Sequence, residues 1–333
     1  MKILFRCDAS KKIGLGHLSR CITLAKRLQS HFGFQIFFAI KDDDLAIENL
    51  KNIFPFYVYN ESLQDYESWL ISLLKNLKIS RFIVDIRNDI NKDFILKIKK
   101  KLKLKVFTID DPEEKRIYCD VALYPPVTQL KNMDWRNFEG ELKIGWDYVI
   151  VKDEFLQIYP KTNNLKTTIL VSMGGTDPSD MISFTLNSLM TENKKFKLII
   201  IIGPGYTKAN ILKKLLNKSK LDYELHISPL NFSKLASSVD FAIISFGQTA
   251  YELLALNTPA LFLCLSADHH KSSEIFSTNN FGISSGIYSN QNKSIFIKNF
   301  NKIYKDFKNM RKSIIDSRVS TKFRSNSLIN LFS

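Results

Sequence analysis

The stretch that decides the fold is residues 2–28, "KILFRCDASKKIGLGHLSRCITLAKRL". Its opening, "KILFRCD", is a short apolar run of strand length. From His17 onward, "HLSRCITLAKRLQS" places apolar residues three and four apart and reads as a helix. Between the two, Gly14, Gly16 and His17 crowd into a turn. Glycines there let the backbone approach a ligand closely and aim amide groups from the helix start.

Working outward, the alternation of strand and helix continues. "QIFFAI" (35–40), "PFYVYN" (55–60), "RFIVDI" (81–86), "KVFTIDD" (105–111) and the shorter "VALYPP" (121–126) read as strands. Helices "DDLAIENLKN" (43–52), "LQDYESWLISLLKNLK" (63–78) and "NKDFILKIKKKL" (91–102) fall among them. The pattern loosens through residues 127–155 and restarts at "TTILVSMGG" (167–175). From there "FKLIIIIG" (196–203), "YELHIS" (223–228), "FAIIS" (241–245) and "ALFLCL" (260–265) are strands alternating with helices, and the tail from Lys293 is helical and basic. Continuously apolar strands separated by helices predict parallel sheets covered on both faces. The expected architecture is therefore α/β: two Rossmann-like domains, residues 1–155 and 156–333, with the boundary at the polar stretch "YPKTNNLK" (159–166). Such domains are expected to face each other across a cleft at the carboxyl ends of their strands, where ligands bind.

Bulk properties narrow the class. A chain of 333 residues with 45% apolar and 24% charged residues has the composition of a soluble globular protein. The longest apolar run, "FKLIIIIGPG" (196–205), is strand-length and ends in Gly-Pro-Gly, and no signal-peptide core precedes Asp8, so a cytoplasmic location is expected. Cys7, Cys21, Cys119 and Cys264 are scattered without metal-ligand spacing and are expected as reduced, buried thiols; no metal or cofactor is called for. The net charge of +15 comes from lysines spread over helix faces, as in "LKIKKKLKLK" (96–105), without clustered arginines or an aromatic-interleaved stripe. That pattern reads as solvated lysine rather than a nucleic-acid face, with a basic surface for anionic polymers or membranes as the other reading.

Three loops carry candidate chemistry. At His17, the positive end of the helix dipole opposes charge on the ring, and an uncharged imidazole at a strand end is a reasonable general base. A helix-start or packing histidine is the plainer reading. In "LVSMGGTDPSD" (170–180), Gly174, Gly175 and Thr176 free amides for a diphosphate, while Asp177 before Pro178 suits a helix cap. In "ISFGQTAYELLALNTPALFL" (244–263), Ser245, Gly247, Gln248 and Thr249 suit phosphate, and Glu252 suits a ribose diol or a capping role. Asp85, Arg87, Asn88 and Asp89 follow a strand, as do Asp110 and Asp111, for which a charged turn serves equally. His269 and His270 read as a solvated pair.

With these residues assembled, the chain resembles the family of the pseudaminic-acid pathway hydrolase and the spore-coat polysaccharide proteins of SpsG type. More distantly it resembles the MurG-type GT-B glycosyltransferases. "ILFRCDASKKIGLGHLSRCITLAKRL" is similar to the family's opening; "GWDYVIVKDEF" (145–155) to its middle segment, with Lys152 where Arg is usual; "SMGGTDPSD" to its Gly-Gly-Thr-Asp turn; and "SFGQTAYELLALNTPAL" to the nucleotide-binding helix shared with MurG. The resemblance implies a GT-B fold and a UDP-sugar substrate. UDP would be held in the rear half through Gly174, Gly175, Thr176 and the Ser245–Thr249 turn, with Glu252 on the ribose. The sugar would be held in the front half, with Gly14, Gly16, Arg20, Asp85, Arg87 and Asn88 around it. His17 would be the base for inverting displacement of UDP by water, and Asp8 is expected to orient its imidazole. Where family members follow the fourth strand with Asp-His-Tyr or Asp-Ser-Tyr, this chain has Asp85-Ile86-Arg87-Asn88.

The expected activity is hydrolysis of a UDP-diacetamido-trideoxyhexose in nonulosonic-acid biosynthesis, without nucleic acid. Two alternatives stand beside it: an inverting glycosyltransferase of surface-polysaccharide assembly, and a non-catalytic binder of nucleotide-sugars or polyanions.

Overall fold

The computed structural model describes residues 1–10, 13–62, 65–160, 165–290 and 293–333. The chain divides into two compact units, the first made of residues 1–126, 130–150 and 325–333, the second of residues 127–129 and 151–324. Part of the expected boundary stretch, residues 161–164, lies outside the described residues; the chain passes from the first unit to the second at residues 150–151.

In unit 1, strand β1 (Lys2–Cys7) leads through helix α1 (Gly16–Phe32) to β2 (Gln35–Lys41), then α2 (Asp44–Leu50), β3 (Phe56–Tyr59), α3 (Tyr66–Asn76) and β4 (Arg81–Asp85). Helix α4 (Lys92–Lys101), β5 (Lys105–Ile109), β6 (Val121–Tyr124) and β7 (Glu141–Ile144) complete it. The seven-stranded sheet has the order β3-β2-β1-β4-β5-β6-β7, and every pairing is parallel. The alternation of β1 explains why its sequence is apolar throughout. Ile3, Phe5 and Cys7 join Leu18, Cys21, Leu24 and Leu28 of α1 on one face, while Leu4 joins Leu70 and Leu74 of α3 and Phe94 and Ile98 of α4 on the other. The sequence order turns back between β1 and β4, so their carboxyl ends flank a topological switch point, the usual place for a ligand in such sheets.

Unit 2 repeats the plan. Strand β8 (Thr167–Ser172), α5 (Met181–Leu189), β9 (Phe196–Ile202), α6 (Ala209–Lys218) and β10 (Asp222–Ile227) form one wing. The other is α7 (Phe232–Ser238), β11 (Phe241–Ser245), α8 (Gln248–Ala255), β12 (Ala260–Cys264), α9 (Ala267–Thr278) and β13 (Gly282–Ile287). The six-stranded order is β10-β9-β8-β11-β12-β13, again wholly parallel, with its switch point between β8 and β11. The basic tail begins as α10 (Lys293–Ser317), whose Phe296, Phe300, Ile303, Phe307, Met310 and Ile314 form one buried stripe at alternating four- and three-residue spacing. Each such side chain contributes roughly 1.5–3 kcal/mol by leaving water.

The tail does not stay with the rear half, as its sequence position suggests. After α11 (Val319–Lys322), the last helix α12 (Ser327–Asn330) and the terminus belong to unit 1. Phe332 stacks on Phe107 with ring centroids 4.4 Å apart, and Arg81 donates to the Phe332 and Ser333 carbonyl oxygens. Two strands escaped the sequence reading: β7 forms the sheet edge with little burial, and β13 is "GISSGI", serine and glycine rather than an apolar run. Among the described residues no helix is long and apolar enough to cross a membrane, and all four cysteines are free and buried.

Candidate active site

The site in unit 1 grows from a stripe on α1. His17, Arg20 and Cys21 lie three and four residues apart, so they share a helix face, and that face meets the end of β4 at Asp85. His17 Nδ1 is 2.6 Å from Asp85 Oδ1. Arg20 donates from Nε to Oδ2 at 2.6 Å and from Nη2 to Oδ1 at 2.5 Å, and the Cys21 thiol reaches Oδ2 at 3.4 Å. Asp85 is 1% exposed. Burial by itself would push its carboxyl up, but the Arg20 guanidinium and then His17 outweigh it and hold the carboxyl well below the usual range. An ionised carboxylate only accepts, so Nδ1 carries a proton, and in the neutral ring Nε2 is the nitrogen with a lone pair. Nε2 has no hydrogen-bond partner among the described residues, and His17 lines a pocket of about 350 Å³ at the carboxyl ends of β1, β2 and β4.

Asp8 is not the orienting carboxylate. Its two oxygens take both Nη groups of Arg6, at 2.5 and 2.8 Å, and the Lys41 backbone amide at 2.8 Å. Arg6 is fully buried beneath the pocket, and its Nε donates to the Tyr66 hydroxyl at 2.8 Å. A buried arginine two residues earlier in the chain claims the charge of Asp8. Arg20 likewise differs from expectation. It is spent on Asp85, with Nη1 3.6 Å from Asp110, so it sets the charge behind the ring rather than offering itself to a substrate. Arg87 and Asn88 do line the pocket, as do Asp85 and Asp89. Gly14 adopts φ +79°, which glycine takes without cost, and closes a small loop onto Ser10. A Cβ at Gly16 would meet nothing within 4 Å. Asp111 is structural: it is 2% exposed and pairs with buried Lys115 at 3.3 Å.

The second cluster lies at the β8/β11 switch point of unit 2. Gly174 adopts φ +82°, and a Cβ there would come within 3.7 Å of Ser245 Oγ, so the two glycine-bearing loops are neighbours. Gly203 and Gly205, after β9, complete the arrangement: a Cβ on Gly203 would stand 2.4 Å from Gly175 Cα, and the Gly205 amide donates to the Gly175 carbonyl at 2.9 Å. Sequence reading passed over this pair, though "GPG" after a strand was a signal. Asp177 does cap α5, but from a distance; its carboxylate accepts from the Met181 and Ile182 amides at 2.9 and 3.0 Å, so it occupies that helix start itself. Gly247 precedes α8, and Gln248 and Thr249 open it.

Glu252 lies in the second turn of α8, too far in to cap it, and is 3% exposed. Burial pushes its carboxyl up to about 7; Lys152, 3.9 Å away, lowers it in part, Glu154 opposes that, and a Thr249 hydrogen bond helps hold the charge. Glu252 Oε1 is buried with no hydrogen-bond partner. Lys152, which stands in the segment "GWDYVIVKDEF", therefore gains a place in this cluster. His269 and His270 are half-buried rather than solvated: the His269 ring lies beside Phe246, and His270 Nδ1 is 2.9 Å from Ser284 Oγ.

Two all-parallel domains in strand order 3-2-1-4-5-6, the first with a seventh strand at its edge, one with a histidine–aspartate pair and one with glycine turns around a buried glutamate, define an enzyme of GT-B fold. Acinetobacter baumannii MurG superposes with a TM-score of 0.68 at 14% identity, covering 99% of this chain and 97% of MurG. The spinosyn rhamnosyltransferase SpnG gives the same TM-score and identity over 98% and 96%. No protein-family model matches the chain. Among curated proteins, the UDP-2,4-diacetamido-2,4,6-trideoxy-beta-L-altropyranose hydrolase of Campylobacter jejuni is 31% identical over 271 residues, 79% of this chain and 92% of the hydrolase. The chain belongs to the family of that UDP-sugar hydrolase. The uncharacterized protein MJ1062 of Methanocaldococcus jannaschii is 27% identical over 274 residues, and the chain spans 55% of its length.

Proposed function

We propose that the protein hydrolyses a UDP-linked diacetamido-trideoxyhexose of the altropyranose type, releasing UDP with inversion in nonulosonic-acid biosynthesis. Unit 1 supplies the chemistry: His17 Nε2 takes a proton from the attacking water as the water oxygen bonds to the anomeric carbon. The bond from that carbon to the UDP oxygen breaks, and UDP leaves with the electron pair. Asp85 fixes the tautomer of the ring and balances the charge that appears on it. Arg20 holds Asp85 ionised. Unit 2 supplies the grip: the amides around Gly174, Gly175 and Thr176 and the Ser245–Thr249 turn take the diphosphate, and Glu252 accepts from the ribose hydroxyls.

The observation that carries this reading is the His17–Asp85 contact of 2.6 Å with Nε2 left open toward a pocket. Incubation of the full chain with the UDP-sugar and no acceptor is expected to release UDP and the free sugar in equal amounts, with inverted configuration at the first turnover. UDP release only after addition of a hydroxyl-bearing acceptor would move the assignment to glycosyl transfer, the activity in the names of structural neighbours such as SpnG. Polyanion binding with no UDP release would remove the catalytic assignment.

A further inference from the structure

The cations around the unit 1 pocket are not equivalent. Arg6 is committed to Asp8 and Tyr66, Arg20 to Asp85, and the Lys41 ammonium to Asp89 at 2.9 Å. Arg87 lines the same pocket, yet its Nη1 is buried with no hydrogen-bond partner. A guanidinium N–H withdrawn from water and bonded to nothing is costly, and it marks a place that a ligand acceptor completes. The loop that follows Arg87 is itself held in place. Asn88 and Asp89 both adopt left-handed conformations, at φ 60° and 44°. The Asn88 amide is held by Glu113 Oε1 at 2.7 Å, and Glu113 is itself tied to buried Lys115. The Arg87 charge also lies near enough to Glu113 to help hold that carboxyl below its ordinary range.

We propose that Arg87 is a specificity-determining residue, donating from Nη1 to an acyl carbonyl oxygen on the sugar. The proposal rests on the reading above that the unit 1 pocket holds the sugar. The acceptor is a neutral carbonyl rather than a carboxylate because, with Asp8, Asp85 and Asp89 paired to cations, Asp42 and Asp43 still line the pocket without an ion-pair partner among the described residues, and they repel an anionic substituent.

Calorimetric binding in the His17→Ala background separates this from the catalytic reading, because turnover plays no part. The probes are the UDP-diacetamido-trideoxyhexose, its analogues with a hydroxyl in place of either acetamido group, and a UDP-hexuronate. Arg87→Met is expected to weaken binding of the diacetamido sugar by about tenfold or more, the scale of a hydrogen bond to a charged group. One hydroxyl analogue should bind wild-type and Arg87→Met side chains alike, and Arg87→Gln, which keeps a donor without charge, should fall between them. Equal loss on every probe, no loss on any, or a wild-type preference for the hexuronate that Arg87→Met abolishes would each overturn the proposal. Should Arg87→Met fail to fold, Arg87→Gln and Arg87→Lys carry the same comparison. UDP release by the protein with His17 intact tests the hydrolase reading separately.

Discussion

The two switch points share a topology and differ in what they hold. At the ends of β1 and β4 the loops carry paired charges: Asp8 on Arg6, Asp85 on Arg20 and His17. At the ends of β8 and β11 the loops carry glycines and hydroxyls, Asp177 is taken up in capping α5, and Glu252 lies buried within α8 with one oxygen unpartnered. A proton acceptor has to be fixed in tautomer and direction, which takes a chain of charged partners. A diphosphate grip needs close backbone approach and helix-start amides, which takes small residues. In the proposed function, the same strand order serves as a reacting end in one unit and a holding end in the other.

The sharpest way to break this contrast is His17→Ala. It is expected to lower kcat for UDP release by about 10²–10⁴-fold, the range for a lost general base, while UDP affinity, measured by calorimetry, stays within about twofold, a change of under 0.5 kcal/mol. If affinity falls with the rate, the division of labour between the units is wrong. Asp85→Asn comes next. Removing one partner of a buried ion pair costs about 3–5 kcal/mol, so the denaturant midpoint should drop steeply, and the rate should drop with it as the ring loses its fixed tautomer. Adding Arg20→Met to Asp85→Asn is expected to restore part of the stability and none of the rate.

Glu252 sharpens the other side. Its folded carboxyl is raised to about 7, above the ordinary value near 4.5. The contribution to stability is therefore fully present below the unfolded value and is lost as pH rises through 7, amounting to about 3 kcal/mol at 1.36 kcal/mol per pH unit. The ligand-free protein should lose stability between about pH 4.5 and 7, whereas Glu252→Gln should flatten that part of the profile. UDP affinity should run the opposite way, rising with pH as the carboxylate ionises and accepts from the ribose. Glu252→Gln should weaken UDP by about tenfold at pH 8 and leave kcat nearly unchanged. An affinity that is flat with pH in the wild-type protein would detach Glu252 from the nucleotide.

How much of this was legible in the sequence follows from range. The β1 strand, the glycine turn and the α1 helix are local, and "KILFRCDASKKIGLGHLSRC" carries them in its own periodicity. His17 stood out because it begins a helix beside two glycines. Its partner did not, because Asp85 lies 68 residues away and becomes a neighbour only once β4 is known to pair with β1. Asp8, nearer in sequence, drew the role instead, and the buried Arg6 that occupies it looked like one polar residue in an apolar strand. Glu252 was visible as a residue; its raised pKa was not, since that depends on the packing of α8 against α7, β12, α11 and residues 153–156, the last two far from it in sequence. The edge strand β7 and the serine-rich β13 were missed because neither buries a continuous apolar run.

The smallest expected effects divide the glycines. Gly14 is needed for its conformation: φ is +79°, and a side chain would have open space around it. Gly203 is needed for its size: its φ is ordinary, but a Cβ would collide with the Gly175 backbone. Gly203→Ala should therefore cost about 1–3 kcal/mol as an overpacked contact and weaken UDP, because the Gly175 loop must shift. Gly14→Ala should cost only about 1–2 kcal/mol, the left-handed penalty of an L-residue, read from denaturant midpoints. Asparagine separates the two causes. It tolerates the left-handed region, so Gly14→Asn should recover much of the loss seen with alanine, whereas Gly203→Asn should be worse than Gly203→Ala. Equal behaviour at both positions would mean that backbone approach, and not conformation, governs the front turn as well as the rear one.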